Sequence, residues 1–213
     1  HGGRDPGAVG GGVLEKEVTL AIALALRDEL MAGDDIRVAM TREDDRELVL
    51  AARPQIAREL GADLFLSIHA DSAGDISDVS GASVYTLSNE ASDEAAARFA
   101  ARENSADELN GVTIEGQSEE VSAILVELSR DAAELASLII REGEGQLAFV
   151  RGPRRSAALA VLRAPDMPGV LFESGFVTNS GDRARLTTQE GRETYAQVLA
   201  RAIRVYFARR SER

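Results

Sequence analysis

Histidine is scarce in this chain: its 213 residues include two, His1 and His69. The first stands before two glycines and an Asp5-Pro6-Gly7 turn in "HGGRDPGAVG", and the second closes "DLFLSIH", an apolar run ending in polar groups. Two carboxylates belong beside them. Glu15 opens a helical pattern, where the helix dipole favours an acid in the first turn. Glu173 lies inside the apolar "VLFESGF", where an unpaired charge is costly to bury and so needs a partner or a task. Two imidazoles and one carboxylate are a ligand set for catalytic zinc that leaves a fourth position to water. The absence of cysteine excludes thiolate nucleophiles, disulfides and Cys-based zinc sites, so a metal has only His, Asp or Glu to hold it. A second metal reading uses the α-amine and imidazole of His1 with His69 as a three-nitrogen copper brace, which suits copper(II) but leaves Glu15 and Glu173 idle. Taken singly, each residue also has a plain reading: a hydrogen-bonded histidine at a strand end, a helix-capping acid, a solvent-facing glutamate.

What could bring these residues together is an α/β sheet, in which functional groups gather at the carboxyl ends of the strands. From Glu15 to Ala32 the positions Val18, Ile22, Leu26 and Leu30 repeat every four residues, with Leu20, Leu24 and Met31 widening the face, until Gly33 ends the helix. "IRVAM" (residues 36–40) reads as a short strand, and Pro54 starts a second helix running to Leu60. Residues 63–69, 82–87, 159–162 and 169–174 read as further strands, and an amphipathic helix through Tyr195, Val198, Leu199, Ala202 and Tyr206 closes the chain. The expected fold is therefore α/β, a mostly parallel central sheet flanked by helices, in a single domain spanning 1–213. Between about 89 and 155 the alternation stops, and an acidic, alanine-rich segment reads as a helical insertion. Within it, "SEEVSAILVELSRDAAELASLII" (118–140) is a strong amphipathic helix with Ser118 as N-cap, which on pattern alone packs on the domain. The 36 acidic against 24 basic side chains give a net charge of -12, which argues against a nucleic-acid partner. No apolar run approaches the roughly 20 residues needed to span a bilayer.

The stretches "HGGRDPGAVG", "GVLEKEVTLAIALAL", "TREDD", "ADLFLSIHAD" and "VLRAPDMPGVLFESGFVTN", in that order, resemble the successive motifs of the zinc-dependent N-acetylmuramoyl-L-alanine amidases, the amidase_3 family of bacterial cell-wall hydrolases. The resemblance covers the whole chain, although "EGEGQLAFVRGPRR" matches only weakly. It implies Zn2+ held by His1, Glu15 and His69, with Glu173 as catalytic acid-base. It also implies hydrolysis of the peptidoglycan amide joining N-acetylmuramic acid to L-alanine, in the periplasm. The insertion is similar to that of the cell-division subgroup, in which an autoinhibitory helix lies across the site and one of its acids takes the open zinc position. Here that acid is expected to be Glu120, with Glu119 as the alternative, and the implied activator is a LytM-type partner protein. A wall-binding module that kept the fold without turnover is the other reading.

Overall fold

The computed structural model describes residues 1–211 apart from 34, 77, 106–123 and 165, and for 124–127 only the backbone. The chain opens with a small hairpin, β1 (Val9–Gly10) against β2 (Val13–Leu14). Its two-residue turn is Gly11-Gly12, both at positive φ (57° and 80°), the backbone that a primed hairpin turn demands. The hairpin delivers the chain directly into α1 (Glu15–Met31), which buries Val18, Ile22, Leu26 and Leu30 and leaves Met31 exposed. There follow α2 (Ala52–Glu59), β3 (Phe65–Asp71), β4 (Ala82–Leu87), α3 (Glu94–Asn104) and α4 (Ile124–Gly143). The remainder comprises β5 (Phe149–Ala157), a 3-10 turn at Ala160–Leu162, β6 (Gly169–Phe176), α5 (Ser180–Thr187) and α6 (Gln189–Ser211).

The main sheet has the order β3-β6-β4-β5, with β3–β6 and β4–β5 parallel and β4–β6 antiparallel. The expected mostly parallel, helix-flanked sheet is thus present, with one antiparallel junction at its centre. Alternation along the strands sends side chains to two cores. Phe172 and Val84 face α1, α4 and α6, where Ile22, Leu135, Ile139, Leu199 and Tyr206 fill one core. Leu171 and Tyr85 face the other way, toward Phe65, Phe99 and Leu159 beneath α3 and the 3-10 turn. Among the described residues no helix is long and apolar enough to cross a membrane.

Several elements depart from the sequence reading. Residues 36–40 form no strand, although Ile36, Val38 and Met40 are half-buried in alternation with exposed Arg37 and Ala39. A ladder needs a neighbour, and a cavity of about 700 Å³ lies here, lined from one side by Ile36, Val38 and Met40 and from the other by Leu64, Leu66 and Ile68. Residues 159–162 are a buried 3-10 turn, while the strand is the preceding β5, whose Arg151, Gly152, Pro153 and Arg154 hid it. Proline is tolerated there because β5 is an edge strand. The stretch expected as an insertion, 89–155, therefore supplies most of a sheet strand and, in α4, a core helix. Leu135, Ala136 and Ile139 of α4 are buried, and α4 packs on α6 and β4.

Candidate metal centre

Glu15 occupies the first position of α1 and is buried, held by two backbone donors: Ala8 N–H donates to Oε2 (2.7 Å) and Ala70 N–H to Oε1 (3.1 Å). These bonds stitch the opening loop, the helix start and the end of β3 to one carboxylate. Gly7 makes the approach possible. Its φ of +67° is the left-handed region, and a Cβ there would stand 2.5 Å from Glu15 Oε2 and 2.7 Å from His1 Cδ2. His1 Nδ1 lies 2.6 Å from Asp5 Oδ2, while Gly7 N–H donates to Asp5 Oδ1 at 3.0 Å, so Asp5 fixes the imidazole as outer-shell carboxylates orient metal-ligating histidines.

His69 sits in β3 opposite Glu173 of β6 in the parallel register, and the ladder shifts between His69 and Asp71. Such irregularities beside sites re-aim side chains. Ser174 Oγ donates to His69 O (2.5 Å) and Tyr195 O–H to Ser174 O (2.7 Å), which ties the two strand ends to α6. Asp182 Oδ2 accepts from Gly81 N–H (2.8 Å) and Phe176 N–H (3.0 Å), fastening the end of β6 to the start of β4.

His1, Glu15, His69 and a residue the sequence reading did not single out, Glu103, bring donor atoms within 4.8 Å of one another. Glu15 Oε2 is 3.2 Å from His1 Nε2, and Glu15 Oε1 is 2.8 Å from His69 Nδ1. Glu103 Oε2 lies between the same two nitrogens, 3.2 Å from His1 Nε2 and 3.1 Å from His69 Nδ1. Glu103 comes from α3, capped by Asp93, whose Oδ1 accepts from Ala96 N–H at 2.8 Å. Along this helix Ala96, Phe99, Ala100 and Glu103 are buried at i, i+3, i+4 and i+7. An acid on an otherwise apolar stripe was the available signal, overlooked because α3 is short and 118–140 is the stronger amphipathic pattern. Glu119 and Glu120, the expected plugging acids, lie outside the described residues.

The electrostatics ask for a cation. Burial disfavours the imidazolium of His1 most, yet Glu15, Asp5 and Glu103 together outweigh it and push the group up to about 10. His69 is raised in the same way, against its burial, by Glu103 and Glu15. Burial pushes Glu103 up, but both imidazoles pull it well below the usual carboxylate range. Where acids hold two buried imidazoles protonated, a divalent ion can take the place of the protons, and an all-His/Glu donor set suits zinc. Glu173 stands apart: it is buried, neither carboxylate oxygen has a hydrogen-bond partner, and burial followed by the charges of Asp71, Glu15 and Glu103 drives it well above its ordinary range. A buried carboxyl with both oxygens unpaired beside a metal-type cluster is placed for acid-base work.

α3 closes over this centre through polar tethers. Arg102 Nη2 is 2.5 Å from Asp71 Oδ1, and the guanidinium lies 5.4 Å from the Phe99 ring centroid. Asn104 Nδ2 donates to Ala158 O and its Oδ1 accepts from Ala160 N–H, both at 2.8 Å. Phe99 stacks on Tyr85 with centroids 4.5 Å apart.

The sheet and the His/Glu cluster at its rim define an α/β domain with a candidate metal centre. Residues 1–205 match the family model Amidase_3, N-acetylmuramoyl-L-alanine amidase, and the chain belongs to that family. It is 36% identical over 214 residues to N-acetylmuramoyl-L-alanine amidase AmiC of Neisseria meningitidis, an alignment covering 97% of this chain and 50% of that protein. It is 35% identical to AmiA of Escherichia coli, covering 97% of this chain and 73% of the relative. The chain thus spans from half to about three quarters of the length of these relatives. Among solved structures, AmiC2 of Nostoc punctiforme superposes with a TM-score of 0.69 at 28% identity, covering 98% of this chain and 93% of that one.

Proposed function

We propose that this chain is a zinc-dependent N-acetylmuramoyl-L-alanine amidase that cleaves the bond between N-acetylmuramic acid and L-alanine in peptidoglycan, and that α3 keeps it shut. The observation that carries the second half is Glu103 Oε2, seated between His1 Nε2 and His69 Nδ1 on a helix that covers Glu173's side of the sheet. His1, Glu15 and His69 would hold the metal, and Glu103 would occupy the position left beside them. When bound, zinc supplies Lewis acidity toward a water and toward the scissile carbonyl.

The chain's own residues do the rest. Asp5 holds the His1 ring in position from Nδ1. Glu173 takes the proton of the attacking water on a carboxylate oxygen and delivers it to the departing L-alanine nitrogen. No hydrogen bond competes for either oxygen, and burial raises the proton affinity of the ionised carboxylate, which favours its taking the proton from water. With Glu103 in place, a nucleophile has no room beside the imidazoles. Opening requires α3 to leave, the task of a LytM-type activator in this reading. The substrate places the reaction in the cell wall, on the periplasmic side.

The test is release of peptide from purified sacculi, with and without chelator. Glu103→Ala is expected to raise hydrolysis in the absence of any activator at unchanged zinc content. Basal activity equal to the parent protein's would remove the plugging role and leave Glu103 as a fourth ligand only. Deleting α4 (Ile124–Gly143) is no test of the gate, because α4 carries core residues.

A further inference from the structure

α3 presents acids at both of its ends, and each meets nitrogen donors across from it. At the carboxyl end Glu103 meets the two imidazoles. At the amino end the capping residue Asp93 faces Arg155 of β5, Oδ2 to Nε 3.8 Å. Between them Phe99 lies on Tyr85. Tyr85 and Arg155 are register partners on β4 and β5, and Arg155 Nη1 donates to Tyr85 Oη at 3.4 Å. Glu173, Ser83, Tyr85 and Arg155 follow one another by register and by alternate positions along β4, so they lie on the face that α3 covers. Arg155 Nε is buried without a hydrogen-bond partner, an unmet donor on a guanidinium whose fork geometry suits a carboxylate.

We propose that the trough beneath α3, running from the His1–His69 cluster past Tyr85 to Arg155, is the groove for the peptide leg of the substrate, with Arg155 anchoring a peptide carboxylate. α3 then closes the groove by imitation, offering Glu103 where the scissile amide binds and Asp93 where the substrate's distal carboxylate binds. Asp93 and Glu103 are ten residues apart in the helix, which at a rise of about 1.5 Å per residue sets their positions about 15 Å apart. An extended peptide advances about 3.3–3.6 Å per residue, so the anchored carboxylate belongs about four residues from the cleaved bond. Tyr85, uncovered when Phe99 leaves, supplies the flat apolar floor between. The inference rests on the reading of the site as an amidase gated by α3.

The test uses the full chain carrying Glu103→Ala, with Arg155→Gln or Arg155→Lys added, and zinc supplied. Substrates are N-acetylmuramyl dipeptide and N-acetylmuramyl tetrapeptide, the latter with free carboxylates or as carboxamides. Arg155→Gln should raise KM for the acidic tetrapeptide about tenfold, the scale of one charge-assisted hydrogen bond, with kcat within about twofold. The dipeptide and the amidated tetrapeptide should be unaffected by it, and Arg155→Lys should recover part of the loss. Equal losses on all three substrates, or none on any, overturn the proposal, and circular-dichroism melting separates misfolding from the first result. Titration calorimetry with the free acidic tetrapeptide gives a second readout that needs no turnover: binding weakened about tenfold by Arg155→Gln supports the anchor, and equal binding overturns it. If Glu103→Ala fails to raise activity, the gating reading falls by itself, while the same Arg155 comparison is made in the parent background.

Discussion

The two faces of the sheet are built to different rules. On one, α1, α4 and α6 interlock Ile22, Leu135, Ile139, Phe172, Leu199 and Tyr206, all essentially inaccessible. On the other, the sheet offers His69, Glu173 and Tyr85, and α3 covers them with Ala96, Phe99, Ala100 and Glu103, held by the ion pair Arg102–Asp71 and the clamp of Asn104. The first cover is a core in which loss of any part leaves a cavity. The second cover is made of small residues, one aromatic ring and polar tethers, and in the proposed reading it is the part that lifts. Both faces carry a buried core, but only this second one also carries the His/Glu cluster.

The sharpest break in this contrast is expected at Glu173. In the Glu103→Ala background, Glu173→Ala should lower peptide release by about 10²–10⁴-fold, the range for a removed general acid-base, while zinc content and melting temperature stay at or above those of Glu103→Ala alone because an unpartnered buried carboxyl has gone. A folded variant with undiminished turnover would end the assignment. Next, Leu135→Ala should cost about 2–5 kcal/mol in urea unfolding, as large-to-small core changes do. Phe99→Ala, on the opposite cover, should instead show itself chiefly as raised basal hydrolysis; an equal loss of global stability with no gain in activity would erase the distinction between core and lid. Asn104→Ala removes two hydrogen bonds from the end of α3, about 1–3 kcal/mol of docking, and should raise basal activity several-fold with a small change in melting temperature.

The smallest effect concerns pH in chelated protein. The folded pKa of His1 is pushed up to about 10 from an ordinary 6.5, so its stabilisation is complete below about 6.5 and fades as pH rises through 10. Metal-free protein should therefore lose unfolding free energy between pH 6.5 and 10. Added zinc should restore it, since ligand binding to the native state alone is stabilising. A flat profile across that window in chelated samples would mean that the cluster carries no excess protons.

Much of this was legible in the chain. His1, Glu15 and His69 converge, as one reading of their residue types and the family resemblance expected, and Glu173 is the register partner of His69. Helix periodicity marked α1 and the closing helix correctly, and β4 matches residues 82–87 at both ends. What failed, failed for lack of a neighbour's identity. Residues 36–40 alternate as a strand should, yet alternation records which side chains turn inward and says nothing of a partner for the backbone. β5 reads as a loop because an edge strand may carry glycine, proline and arginine.

The sequence by itself determined the donor inventory, the absence of cysteine, the helical stripes and the four side chains worth watching, because each follows from residue type and local period. Only the tertiary structure decided that Glu103 of α3 reaches the imidazoles, and that α4 is core while α3 is cover. Which of two amphipathic helices faces a charged site depends on how the whole sheet apportions its two sides. That apportioning is a global packing problem, in which contacts between residues distant in sequence outweigh the amphipathic strength of any one segment.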